Sequence, residues 1–245
     1  MTDQEYVKSL YEKGKMAMEE IEDYSQKQID KMLIAIGKVV YDVKEELAAM
    51  GAEETKMGDP NYKILKHRTI PMTLYYMKGK KSTGVIDYDS EKQIAKVAKP
   101  AGVIAAIQPS TNPTTGPCIN SLQCLKGKNA IIIAPHPNAI KSGTHVVNLM
   151  RGALEKIGAP VDLIQMTENS SIERTGALMK QCDLILATGG AGVVKAAYSS
   201  GTPAYGVGQG NVQALITEDY EDAAFIAKTI VGNRSADNGM PCTGE

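Results

Sequence analysis

Along residues 3–24 the apolar side chains Val7, Leu10, Tyr11, Ala17, Met18, Ile21 and Tyr24 fall mostly three or four positions apart, the stripe of an amphipathic helix. Ser25 with Gln28 has the form of a capping box. A second helix is therefore expected to start there and to run through Ile29, Met32, Leu33, Ile36, Val40, Val43 and Leu47 to a stop at Gly51. A third helical stretch, 61–77, contains Pro71, which lacks a backbone donor and clashes with the preceding turn, so a break or kink is expected at that proline. Residues 84–89 and 93–99 read as two short strands forming an arm.

At Gly102 the pattern changes. Residues 102–108 are a nearly continuous apolar run, followed by P-S-T-N-P and a helix near 114–125. A strand is expected at 130–134, then the loop P-H-P-N and a helix near 139–157. A strand at 161–165 follows, then a helix opened by Ser170 with Glu173 as another capping box. Last come a strand at 183–187, the loop T-G-G-A-G and a helix at 193–198. Short apolar strands without alternation, separated by helices, call for a parallel sheet covered on both faces, an α/β, Rossmann-like architecture with N-terminal helices. Residues 212–230 read as one further strand and a helix.

Composition narrows the function classes. The 245 residues are 43 % apolar and 22 % charged, enough for a sizeable core, and 27 basic against 28 acidic side chains leave a net charge of -1. That balance gives no field for nucleic acid or an anionic membrane, so neither is expected as a partner. No apolar run is long enough to span a bilayer, and the acidic start is not a secretory signal; the expected compartment is cytoplasmic. The cysteines Cys118, Cys124, Cys182 and Cys242 form no C-x-x-C pair and only three histidines accompany them, so no metal site is expected.

Parallel sheets bind ligands at the carboxyl ends of their strands, which directs attention to three loops. T-G-G-A-G, 188–192, follows a buried strand and opens a helix; its glycines allow close approach of a ligand, and the free N–H groups of a helix start favour a phosphate. It does not match G-x-G-x-x-G, and a plain tight turn would look the same. In the second loop, His136 between Pro135 and Pro137, with Asn138, has the choice of a phosphate or ribose contact or a hydrogen bond within its own loop. His67 and His145 lie in helical segments and are assigned no chemistry. The third loop, Ser110-Thr111-Asn112-Pro113, presents the Asn112 amide on a rigid turn, as an oxyanion donor would need, although an ordinary Asn-Pro turn is equally consistent. Near the end of the chain, Cys242 lies between Pro241 and Thr243 with Gly239 and Gly244 nearby, a backbone able to turn sharply around a thiol nucleophile.

In order along the chain, P-A-G-V-I-A-A-I-Q-P-S-T-N-P (100–113), A-P-H-P-N-A (134–139), L-I-L-A-T-G-G-A-G-V-V-K-A-A-Y-S-S-G (184–201), G-V-G-Q-G-N (206–211) and D-N-G-M-P-C-T-G-E (237–245) together resemble the aldehyde dehydrogenase superfamily. Within it they are most similar to the acylating, coenzyme A-dependent branch. The resemblance covers essentially the whole chain. It implies that Cys242 is the nucleophile and Asn112 the oxyanion-donating amide, with Gly189 and Gly190 at the turn beside the pyrophosphate of NAD or NADP. The cofactor contacts expected from the strand-end loops are Pro109, Ser110, Thr111, His136, Pro137, Asn138, Thr188, Gly189, Gly190, Val193, Gly206, Val207 and Gly208. Hydrolytic members of the superfamily open an E-L-G-G-K segment with a glutamate that activates water. Here the matching segment opens with Gly206, so a second thiol, coenzyme A, is expected to take the acyl group from the Cys242 thioester.

Two departures stand out. Many members place a lysine and a glutamate in the loop after the second sheet strand to hold the adenosine ribose, where this chain has Ala134 and Pro137. That leaves NAD against NADP open. The chain also stops three residues after Cys242, where the family continues, so it reads as a C-terminally truncated protein: 1–210 the helices, arm and nucleotide-binding domain, 211–245 the start of a second, catalytic α/β domain. The expected activity is oxidation of a small aldehyde with acyl transfer to coenzyme A, in a full-length protein that is a homo-oligomer through the arm. The alternatives are a nucleotide-binding or assembly module without turnover, and a hydrolytic aldehyde dehydrogenase, which Gly206 disfavours.

Overall fold

The computed structural model describes residues 1–210 and 213–241. Helix α1 (Asp3–Glu20) starts at Thr2, whose hydroxyl accepts from the Glu5 N–H at 3.2 Å while Glu5 reaches back to the Thr2 N–H. Helix α2 (Gln26–Asp42) starts at the expected capping box of Ser25 and Gln28. It does not run on to Gly51. The chain breaks at Val43, and α3 (Lys44–Thr55) passes through Gly51 to end at Lys56 in the left-handed region. The reason is packing: a Cβ at Gly51 would lie 2.9 Å from Pro113 Cγ, so this glycine is a point of close approach and not a stop.

The third helical stretch is also broken elsewhere than expected. Helix α4 (Pro60–Lys66) is capped by Asp59, α5 (Thr69–Met77) follows, and the break falls at His67 and Arg68. Pro71 sits in the first turn of α5, where an N–H has no carbonyl one turn below, so its missing donor costs nothing. Strands β1 (Gly84–Asp89) and β2 (Ile94–Ala98) pair antiparallel as the expected arm, with Val85, Ile94 and Val97 exposed.

The second half is the parallel sheet. Strands β3 (Val103–Ile107), β4 (Ala130–Ala134), β5 (Ile164–Met166), β6 (Leu184–Thr188) and β7 (Ala204–Val207) lie in the order β5-β4-β3-β6-β7. Every residue of β3 and β4 is buried, as an unalternating apolar strand requires. Between the strands run α6 (Thr115–Lys126), α7 (Ile140–Lys156), α8 (Ile172–Gln181) and α9 (Ala191–Tyr198). Helices α1 and α8 pack together and against the sheet; α6 and α7 also pack on it, and α2 lies across them. Depth comes from such contacts: Ile131, Ile132, Ile133, Leu122 and Met150 are fully buried.

The second half also departs from the sequence expectation in places. Residues Val161–Leu163 form a 3-10 turn and β5 begins only at Ile164, because the Arg151 guanidinium takes the carbonyls of Val161 and Ile164 at 3.1 and 2.7 Å. Helix α8 is capped by Ser171, which accepts from the Arg174 N–H at 3.0 Å; Ser170 donates to the Pro135 carbonyl instead, so no capping box forms with Glu173. The strand expected near 212 is absent from residues 213–222, an exposed stretch with four acidic side chains and no core to face, and Val212 lies outside the described residues. Helix α10 (Ala223–Ser235) follows, capped by Asp222. No helix among the described residues is long and apolar enough to cross a membrane.

Candidate active site

From β3 the chain moves outward through β4 to β5, then returns to lay β6 and β7 on the other side of β3. A reversal of this kind opens a crevice at the strand ends, between the loops after β3 and β6. The loop after β3 carries Pro109, Ser110, Thr111 and Asn112; the turn after β6 carries Thr188, Gly189 and Gly190. The two glycines are not equivalent. Gly189 donates its N–H to the Val207 carbonyl at 3.0 Å, extending the ladder, and Val193 covers it. Gly190 caps α9, whose first N–H groups are exposed, and a side chain at Gly190 or Gly192 would meet nothing within 4 Å. The N–H groups left open at this loop are therefore those at the start of α9 itself, the kind of donor that favours an anion.

The loop after β4 is occupied by its own contacts. His136 Nδ1 accepts from the Asn138 N–H at 3.1 Å, which places the ring proton on Nε2, while Pro137 and Asn138 are exposed. The start of α7 beside it is filled from α3: the Glu54 carboxylate accepts from Lys141 N at 2.7 Å and Ser142 N at 2.8 Å. With that carboxylate in place, the start of α7 offers no anion site.

In the loop after β3, Asn112 Oδ1 and Gln108 Nε2 are both buried without a partner, and Gln108 is only 5 % exposed. The two side chains flank Gly116, where a Cβ would strike Gln108 Oε1 and lie 3.8 Å from Asn112 Cβ. The loop is pinned at both ends. Lys63 Nζ donates to the Thr111 carbonyl at 3.3 Å, and Thr114 Oγ1 donates to His67 Nε2 at 3.2 Å. His67 Nδ1 faces the Lys63 carbonyl at 2.9 Å and must carry the proton there. Burial pushes the His67 pKa down, outweighing the bond to the Lys63 carbonyl, so the ring is neutral and structural.

Cys242 lies outside the described residues. The segment leading to it is described as far as Pro241. Asp237, Asn238 and Gly239 stand consecutively in the left-handed region, at φ 47°, 57° and 73°. The Asp237 side chain is fully buried: Oδ1 accepts from the Asp59 N–H at 2.7 Å, and Oδ2 meets Lys66 Nζ and lies 3.7 Å from Lys63 Nζ. The other three cysteines are poor nucleophiles. Burial pushes the Cys118, Cys124 and Cys182 thiols up to about 12, which keeps them protonated.

Gly206 and Val207 belong to β7, and Gly208 follows it. Gly206 donates its N–H to the Tyr198 hydroxyl at 3.0 Å, and a Cβ on it would lie 2.7 Å from Val194 Cγ1 and 2.8 Å from Tyr198 Cε2. Helix α9 thus packs directly on the bare Cα of this residue.

Sequence reading did not single out Lys63, Lys66, Asp237, Glu54 or Gln108. Two signals were present. Gln108 is a polar residue closing an apolar run, and Asp-Asn-Gly joins three residue types that tolerate the left-handed region. Nothing local, however, pairs Asp237 with lysines some 170 positions away.

The aldehyde dehydrogenase family model matches residues 1–244. Among curated proteins, the chain is 45 % identical over 246 residues to a succinate-semialdehyde dehydrogenase (acetylating) of Clostridium kluyveri, covering 100 % of this chain and 54 % of the relative. Among solved structures it superposes on an acetylating aldehyde dehydrogenase from Geobacillus thermoglucosidasius with TM-score 0.94 and 37 % identity, over 99 % of this chain and 54 % of that one. It also superposes on a Rhodopseudomonas palustris propionaldehyde dehydrogenase with bound propionyl-CoA, with TM-score 0.85 and 31 % identity, over 98 % of this chain and 53 % of that one. The chain spans about half the length of the relatives it matches.

Proposed function

Since the chain belongs to the aldehyde dehydrogenase family, we propose that it supplies the nucleotide-binding half and the thiol nucleophile of an acylating, coenzyme A-dependent aldehyde dehydrogenase. Residues 1–210 are the part that binds NAD or NADP, and 211–245 open the catalytic part. The acetylating relative and the propionyl-CoA-bound neighbour support coenzyme A as acyl acceptor and a small aldehyde as substrate. The hydrophobic side chains Val85, Ile94 and Val97 on the arm support contact with a second copy of the chain. Thiols left free at Cys118, Cys124 and Cys182 fit a reducing, cytoplasmic setting.

In this reading the Cys242 thiolate adds to the aldehyde carbon, and the oxygen that gains the charge is held by the Asn112 amide. The open N–H groups at the start of α9 would hold the pyrophosphate of NAD or NADP, whose nicotinamide would supply the hydride acceptor. Loss of hydride from the thiohemiacetal leaves an acyl thioester on Cys242. The coenzyme A thiolate then attacks the thioester carbonyl, the new carbon–sulfur bond forms, and Cys242 leaves as thiolate, ready for another turn. His136, with its Nε2 proton free, is available to a ribose or phosphate oxygen.

The observation that carries the choice of acyl transfer over hydrolysis is Gly206. Its Cα is packed against Val194 and Tyr198, so no carboxylate projects from the position where the superfamily's hydrolytic members activate water. The test is to supply the full-length enzyme with an aldehyde and NAD(P)+ and follow cofactor reduction with and without coenzyme A. Multiple turnovers that require coenzyme A support the proposal; turnover indifferent to it defeats the acylating assignment.

A further inference from the structure

We propose that Lys63 is a positioning residue for this reaction, a buried cation that ties the loop carrying Asn112 to the segment ending in Cys242. The inference rests on the function proposed above.

Lys63 is only 4 % exposed, and its ammonium is the point where two separate parts of the chain meet. It donates to the carbonyl of Thr111, one peptide bond before Asn112, and lies 3.7 Å from the carboxylate of Asp237, five residues before Cys242. Five residues span at most about 17 Å, so Asp237 limits where the thiol segment can go. Lys66, one helical turn along α4, meets the same carboxylate oxygen from the rim of the site, and the Asp59 N–H fills the other. Gly58 makes room for this cluster: a Cβ there would lie 2.7 Å from Asp237 Cγ and 2.9 Å from Lys63 Nζ.

Two features argue that the cluster specifies geometry rather than merely adding stability. A buried ion pair is often no more stable than apolar residues of the same volume, so stability alone gives weak reason for three charges here. And Asp237 and Asn238 stand consecutively in the left-handed region, which Asp and Asn tolerate better than other side-chain-bearing residues but still at a cost that surrounding contacts must offset. Lys66 and the Asp59 N–H already serve the carboxylate. What Lys63 adds is the bond to Thr111, and with it a fixed relation between the amide and the thiol segment.

The test uses the full-length enzyme and the variants Lys63→Met, Asp237→Asn and their combination, with kcat for acyl-coenzyme A formation expressed per nucleotide-binding site counted by titration with NAD(P)+. Loss of folded protein lowers the number of nucleotide-binding sites but not the rate per site, so a role confined to keeping the chain folded leaves this quantity unmoved. We expect about a 30-fold fall in each single variant, within the range set by an ångström-scale misplacement of reacting groups, with KM for NAD(P)+ unchanged. The double variant is expected to be no slower than the slower single one, as members of one unit behave. Should Asp237→Asn not fold, Lys63→Met, which leaves Asp237 paired with Lys66, carries the test. An unchanged rate per nucleotide-binding site in Lys63→Met overturns the inference. A wild-type enzyme that forms no acyl-coenzyme A overturns the proposed function instead, and the inference falls with it.

Discussion

Thr114 and His67 share one hydrogen bond, 3.2 Å from Oγ1 to Nε2, and that bond exists only while the histidine is neutral. Protonation would place a second donor opposite the threonine hydroxyl inside a buried site. His67, whose pKa burial holds below 6.5, is therefore a point of acid sensitivity in the loop that bears Asn112.

The sign of the effect follows from linkage. The unfolded chain takes up the His67 proton near pH 6.5 and the folded chain only at lower pH, so stability is unaffected above about pH 7 and is lost as pH falls through 6.5. Urea unfolding at pH 7.5 and 5.5 should show a smaller drop for His67→Asn than for wild type. Equal drops would mean that the ring does not titrate as described.

A second prediction concerns thiols. With Cys118, Cys124 and Cys182 pushed up to about 12, far less than one per cent of each is thiolate at pH 8. Alkylation of the folded protein should be dominated by Cys242, and Cys242→Ala should remove the fast phase. Peptide mapping that finds four equal rates would favour a nucleotide-binding or assembly module without turnover.

Gly206 gives a third. Adding a methyl group brings it to 2.7 Å from Val194 Cγ1 and 2.8 Å from Tyr198 Cε2, so Gly206→Ala should destabilise by about 1–3 kcal/mol, the usual range for overpacking. Tyr198 is exposed and its ring has room to swing away, which identifies Val194 as the more rigid obstacle. Combining Gly206→Ala with Val194→Ala should recover most of the loss in chemical denaturation; no recovery would place the strain elsewhere.

Much of this fold was legible because the information is local. The stripe of α1, the Ser25 box and the apolar runs of β3 and β4 each declare themselves within a few residues. The errors arose where a distant contact overrode a local sign. Gly51 reads as a stop until Pro113 is seen against it, and Val161 reads as strand until Arg151 takes its carbonyl. Pro71 reads as a breaker because its place in a first turn is set by where α5 begins. The loops at the strand ends were found from the sheet pattern and the motifs, whereas the Lys63–Asp237 link joins α4 to the far end of the chain and leaves no trace in either segment alone.

The central claim is that an acyl group rests on Cys242 until another thiol removes it. The direct measurement is intact mass and peptide mapping of the full-length enzyme after one exposure to aldehyde and NAD(P)+ without coenzyme A. One acyl adduct on Cys242 is expected, stable in water for many turnover times and discharged as soon as coenzyme A is added. No adduct on Cys242, or one lost at the same rate with and without coenzyme A, would contradict it.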